Sequence, residues 1–223
     1  MNVPISAPKG QRRKFWGWGY EGQDIPQSEV LAMQQRVAKR LGMTDFTILS
    51  DPTLDEIELR APRIQPPASL ASFCTTEKWE RVAHTYGKSF HDLAMVYKRR
   101  FPNPPDIVAY PRDEKDIAAV LDWCGENGYA AVPFGGGSSV TGGITPPDDS
   151  RYKGVVTIDL QNLNQVLEVD PIARAARIQG GTFGPSLEAQ LKPHGLTLRH
   201  VPQSWEFSTL GGWIATRAGG HYA

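Results

Sequence analysis

The chain has 223 residues, equal numbers of acidic and basic side chains and therefore a formal net charge of zero. This length can bury a substantial core in one or two domains, and the charge balance excludes a nucleic-acid partner recruited by bulk electrostatics. Cys74 and Cys124 lie too far apart in sequence to suggest a disulfide framework or a zinc spacing, and no apolar run approaches the ~18 residues of a transmembrane helix.

Residues 1–26 read as an irregular arm rich in Gly, Pro and Trp. Its start is basic (Lys9, Arg12, Arg13, Lys14), but no apolar stretch follows, which argues against a secretory signal and leaves the cytoplasm as the expected compartment. The basic cluster reads as a solvated tail, with contact to an anionic membrane surface as the alternative. Ser28 then precedes Val30, Met33, Val37 and Leu41, a one-sided apolar stripe that predicts an amphipathic helix closed by Gly42. Prolines across 61–67 predict a linker, because they prevent helix and remove ladder donors. Residues 77–100 are helical in pattern around Gly87. His84 and His91 on that stretch have no acidic partner at ligand spacing, so surface or hydrogen-bonded roles are expected and no metal site.

From Pro105 the pattern becomes α/β. Residues 106–110 predict a strand, and Asp113 caps a helix with Ile117, Val120, Leu121 and Cys124 on one face, which makes Cys124 a core thiol. Gly128 closes that helix, and a strand over 130–133 empties into glycines. Strands are expected at 155–160, 165–170 and 174–179, and their short connections predict an antiparallel meander. A further helix begins near Pro185, carries Leu187 and Leu191, and ends at 193–195.

The stretch PFGGGSS at 133–139 carries the first chemical signal. Three consecutive glycines expose bare backbone amides and permit angles that a side chain forbids, and Ser138 and Ser139 add hydroxyl donors. Such a nest suits a phosphate or pyrophosphate. No Lys-Ser/Thr pair ends the loop, and GGGSSVTGG does not match the dinucleotide spacing. Taken alone, the loop reads equally well as a turn without a ligand.

The second signal is QSWEFSTLGGW at 203–213, in which Ser208 and Thr209 can cap a helix of small residues running to Gly219. Each helical glycine costs about 1 kcal/mol relative to alanine. Several in a row point to tight packing on a sheet or to close approach of a large flat ligand. Polar groups in and beside it (Gln203, Glu206, Ser208, Thr209, Thr216, Arg217) match a ligand with ring edges and phosphates.

Together, PFGGGSS at 133–139, QSWEFSTLGGW at 203–213 and ATRAGG at 215–220 resemble the flavin-binding half of the vanillyl-alcohol oxidase and p-cresol methylhydroxylase (PCMH-type) family. Within it the chain is similar to the alkyldihydroxyacetonephosphate synthase (alkylglycerone-phosphate synthase) branch. The resemblance runs from about Trp79 onward and includes PDIVAYP at 105–111, while FWGWGY at 15–20 is similar to the synthase branch. Gln203 stands where the family has Asp, and Gly219 where it has Ser, which puts those two side-chain contacts in doubt.

The resemblance implies an α+β fold of two small α/β subdomains with FAD between them, incomplete at the C-terminus, with residues 1–101 as arm, helices and linker and 102–223 as the FAD-binding domain. It implies that Pro133, Phe134, Gly135, Gly136, Gly137, Ser138 and Ser139 hold the cofactor. The same holds for Gln203, Ser204, Trp205, Glu206, Phe207, Ser208 and Thr209, and for Thr216, Arg217, Ala218 and Gly219. The loop contains no histidine, so FAD is expected to be non-covalent. The implied activity exchanges the acyl chain of acyl-dihydroxyacetone phosphate for a fatty alcohol in ether-lipid synthesis, without net redox change of the flavin. An FAD-linked oxidase of a 2-hydroxy acid and a non-catalytic flavin-binding fragment are the alternatives. The family's catalytic groups fall beyond residue 223, so no catalytic residue is expected in this chain and turnover by it alone is not. A small-molecule lipid substrate is implied, with peripheral membrane contact and a homodimer of the full-length protein left open.

Overall fold

The computed structural model describes residues 12–44 and 47–220. Lys9 of the basic cluster lies outside the described residues. The core is a four-stranded sheet in the order β1-β2-β4-β3, formed by β1 (Cys74–Thr75), β2 (Ile107–Ala109), β3 (Tyr129–Phe134) and β4 (Gly154–Asp159). β1 runs antiparallel to β2, with Cys74 opposite Ala109. β2 and β3 both run parallel to β4, with Val108 and Val132 opposite Thr157.

Helix α4 (Glu114–Asn127) carries the chain from β2 to β3. Asp113 starts it by accepting the Asp116 amide, and Gly128 ends it in the left-handed region at φ 71°. Its buried face, Val120 and Cys124, packs on Ile107, Ala109, Val156 and Ile158. Ile64, Leu70 and Phe73 complete this layer, so the proline-rich stretch is docked on the sheet. On the other face Ala130, Val132 and Val155 are covered by Ile144 and Tyr152.

Asp106 anchors that docking. Its carboxylate binds Arg60, the Arg63 guanidinium at 2.7 Å, the Arg63 amide at 2.9 Å and the Val155 amide at 2.8 Å. Burial pushes this carboxyl up, but the hydrogen bonds from Arg63, Arg60 and the two amides outweigh it and hold the pKa at about 2.

A second unit lies beyond β4. Strands β5 (Val166–Asp170) and β6 (Ala175–Ile178) form a separate antiparallel hairpin. Helices α5 (Gly184–Leu191) and α6 (Leu210–Thr216) pack on one face of it through Leu187, Leu191 and Trp213 against Val166, Val169 and Ile178. The expected three-stranded meander is therefore corrected. All six residues of β4 are buried, as in a strand covered on both faces of a parallel sheet. The turn after it, in which Asp159 accepts the Gln161 amide at 2.8 Å, takes the chain out of that sheet.

Helix α1 (Gln27–Leu41) forms as expected and ends at Gly42 with φ 64°, but Pro26 stands at its N-cap and none of its residues is buried. The helical stretch after residue 77 is two helices, α2 (Lys78–Ala83) and α3 (Phe90–Tyr97), the latter started by a capping box between Ser89 and Asp92. α6 stops at Thr216 instead of reaching Gly219, because Arg217 turns left-handed at φ 51°. Thr209 stands at its N-cap without a side-chain capping bond. Among the described residues no helix is long and apolar enough to cross a membrane.

The solvated-tail reading of the arm is also corrected for its described part. Arg13 and Tyr20 form an antiparallel bridge, and the Lys14 ammonium donates to Asp24 and to the Gln23 carbonyl at 2.8 and 2.7 Å. The Lys14 side chain is only 5% exposed. Arg12 lies 3.9 Å over the Trp79 ring, whose Nε1 donates to Glu21 at 3.2 Å. Tyr20 and Trp18 pack on Phe207 at 5.5 and 5.7 Å between ring centroids. The arm is held by ring contacts and hydrogen bonds along its length.

Candidate functional site

Parallel sheets place ligands at the carboxyl ends of their strands. Here those ends present Tyr110 after β2, Phe134 on β3 and Asp159 on β4, and all three line one cavity of about 450 Å³. That volume is within the range of small-molecule and cofactor sites, ~300–1,000 Å³. Phe183, Ser186 and Phe207 of the second unit form the opposite wall, and the arm closes the cavity through Arg13, Trp18 and Tyr20. The cavity therefore lies between the two α/β units.

The glycine loop and the second motif meet directly. A Cβ on Gly136 would overlap the Phe207 carbonyl, and one on Gly135 would overlap Thr209 Oγ1. Gly137 has φ +72°, and its Cβ would lie 2.8 Å from the Phe134 ring. The glycines thus let two backbones touch, a role that exists without a ligand. What packing leaves unused is their donors. Among the described residues, no hydrogen bond is donated by the backbone amides of 135–139, although Gly137 is buried. Buried amides without acceptors are rare in folded proteins, and unused amides at a cavity, here those of Gly136 and Gly137, suit an anion.

The remaining expected site residues divide by position. Phe134, Gly136, Gly137, Glu206 and Phe207 line the cavity. Ser139 Oγ accepts the Gly143 amide at 3.2 Å within its own turn, and Ser138 has no side-chain hydrogen bond among the described residues. Ser208 is structural: its hydroxyl donates to Ser204 O and accepts from Trp213 Nε1, both at 2.7 Å. Thr209 is buried behind Gly135, Trp205 packs beneath α5, and Ala218 packs with Trp213. Pro133, Gln203, Thr216, Arg217 and Gly219 are exposed and do not line the cavity.

Sequence reading missed a polar network on the cavity floor. His84, at the end of α2, brings Nε2 to 2.9 Å from Asp159 Oδ2 and Nδ1 to 2.6 Å from the Glu80 carbonyl. A carbonyl only accepts, so Nδ1 is the donor in the bond to Glu80. The hydrogen-bonded role expected for His84 is what the structure places there. Tyr110 donates its hydroxyl to Glu80, and burial followed by that bond drives the phenol pKa well upward. Lys88 also lines the cavity, and burial with the nearby Arg13 charge lowers its pKa to about 8. No motif announces these residues, since His84 and Asp159 are 75 positions apart. The one signal was the basic, aromatic run at 12–20.

Against known proteins, residues 105–223 match the family model described as an FAD binding domain. The chain is 40% identical over 145 residues to an alkyldihydroxyacetonephosphate synthase of Dictyostelium discoideum, covering 65% of this chain and 23% of that protein. A synthase of the same name from Trypanosoma brucei brucei is 34% identical over 144 residues, 65% of this chain and 24% of that one. A glycolate oxidase subunit of Bacillus subtilis is 30% identical over 121 residues, 54% and 25% of the two chains. A solved alkyldihydroxyacetonephosphate synthase superposes with a TM-score of 0.79 and 31% identity, covering 94% of this chain and 44% of its own. The chain thus spans about a quarter of the curated relatives it matches. The matched segment is more than half of the chain and contains the glycine loop, the second motif and three of the four strands of the core sheet. The chain is a member of the FAD-binding domain family, with the PCMH-type fold of the alkyldihydroxyacetonephosphate synthases.

Proposed function

We propose that the chain is the FAD-holding part of a flavoenzyme of the alkyldihydroxyacetonephosphate synthase type, which exchanges the acyl chain of acyl-dihydroxyacetone phosphate for a fatty alcohol. The observation that carries the cofactor reading is the glycine loop, whose amides at 135–139 have no acceptor among the described residues and whose Gly136 and Gly137 line a cavity between two α/β units. FAD, when bound, supplies the flavin chemistry. The chain's own residues bind and orient it. The loop amides hold its pyrophosphate, Phe134 and Phe207 give apolar walls, and the arm excludes water. The loop at 135–139 contains no histidine, which supports attachment without a covalent bond, so acid precipitation of the holoprotein should release the flavin.

The synthase is favoured over a 2-hydroxy-acid oxidase by the extent of the likeness. By sequence the two synthases match 65% of this chain at 40% and 34% identity, whereas the glycolate oxidase subunit matches 54% at 30%. The test uses protein purified from its natural source and supplied with acyl-dihydroxyacetone phosphate and a labelled fatty alcohol. Label entering the dihydroxyacetone phosphate product is expected. Dye-linked oxidation of a 2-hydroxy acid without label transfer would replace this reading with the oxidase.

A further inference from the structure

Two cations face the cavity beside the glycine loop, and each is tied to that loop by a separate contact. Arg13 donates Nη1 to the Gly136 carbonyl at 3.1 Å, with its guanidinium 4.8 Å over the Phe183 ring. Lys88 donates its backbone amide to the Ser139 carbonyl at 2.6 Å, and a Cβ on the preceding Gly87 would overlap that same oxygen. Arg13 therefore marks the middle of the loop and Lys88 its far end.

Among the described residues neither cation has an ion-pair partner within 4 Å, and the Lys88 ammonium donates no hydrogen bond. The carboxylates in the same cavity are committed elsewhere. Asp159 is held by His84 and the Gln161 amide, and Glu80 by the Tyr110 hydroxyl. Glu206 acts electrostatically on Tyr20, whose pKa it helps to raise, and makes no ion pair with Arg13 or Lys88 among the described residues. Asp92, which favours the charged lysine, is tied into the capping box of α3. Two like charges gathered in a half-closed cavity repel each other and lose hydration, and an anion between them offsets both costs. Burial first, and then the Arg13 charge, lower the pKa of Lys88.

We propose that Arg13 and Lys88 form an anion clamp that, with the loop amides, takes a ligand phosphate, whether the pyrophosphate of the cofactor or the phosphate monoester of a substrate. The first source rests on the FAD reading above; the second does not.

The test measures equilibrium binding by the intact chain of FAD, of riboflavin, which lacks phosphate, and of glycerol 3-phosphate. The variants are Arg13→Ala, Lys88→Met and the charge-keeping Lys88→Arg, each checked for folding by circular dichroism. Arg13 sits on the arm, outside the sheet core, so its variant keeps the question open to measurement if Lys88→Met fails to fold. A loss of about tenfold or more in FAD affinity in the neutral variants is expected, with riboflavin unchanged and Lys88→Arg close to wild type. Unchanged FAD affinity with loss of glycerol 3-phosphate binding assigns the clamp to a substrate phosphate. Wild-type protein that binds no flavin, yet loses glycerol 3-phosphate in the variants, defeats the FAD reading and leaves the clamp standing. Neutral variants that bind both phosphate ligands like the wild type, or a wild type that binds neither, overturn the proposal.

Discussion

The parallel sheet and the β5–β6 hairpin are both built from short apolar segments, yet they end differently. Every residue of β4 is buried. On the hairpin no residue of β5 or β6 is buried; Leu167 is 47% exposed and Ile172 in the turn 95%. The sheet has α4 on one face and the chain returning from the glycine loop on the other. The hairpin has α5 and α6 on one face, and among the described residues nothing packs on the other. The cavity takes its fixed wall from the sheet and its second wall from the hairpin unit, so the first should tolerate little change and the second much.

The largest effect is expected at Asp106. Replacement by alanine leaves Arg60, Arg63 and the Val155 amide without their buried partner, a loss of about 3–5 kcal/mol in urea unfolding. A loss below ~1 kcal/mol would break the contrast, because it would mean that the docked proline-rich stretch does not hold the sheet. Gly136→Ala comes next, at about 1–3 kcal/mol, since its Cβ overlaps the Phe207 carbonyl. Retained stability with an unshifted thermal midpoint would show that the two motifs do not touch.

A pH titration sharpens the same comparison. The folded-state pKa of Asp106, about 2, lies below its ordinary 3.8. The stability it contributes is complete above about pH 4 and is lost as pH falls through about 2. That contribution is about 2 kcal/mol, and Asp106→Asn should flatten this part of the profile. The smallest effect is expected on the hairpin, where Ile172→Ser should change stability by less than ~0.5 kcal/mol. A larger loss would mean that the turn is covered in solution.

The same contrast explains what could be read from sequence. β2, α4 and β3 followed from local pattern, because the Asp113 cap, the Gly128 stop and the apolar stripe of α4 act within a few residues. The partner of β4 did not. Its near-continuous apolar run already signals a strand covered on both faces, but short connections suggested a meander, and only tertiary packing puts β4 between β2 and β3. The two glycine motifs were legible as motifs, and their meeting at Gly136 and Phe207 is where the structure joins them. Arg13, His84, Lys88 and Asp159 were not, since each is an ordinary residue until the fold brings it to the cavity. Thr216, Arg217 and Gly219 show the reverse: they belong to a motif but stand exposed, outside the cavity.

Hydrogen exchange of the intact chain, with and without saturating FAD, tests the central claim most directly. Among the described residues the amides of 135–139 have no acceptor, and they should exchange rapidly without ligand. With FAD they should slow together with those of the arm at 13–20, while the β5–β6 hairpin stays unchanged. Saturable FAD binding that leaves 135–139 as fast as before would contradict the account.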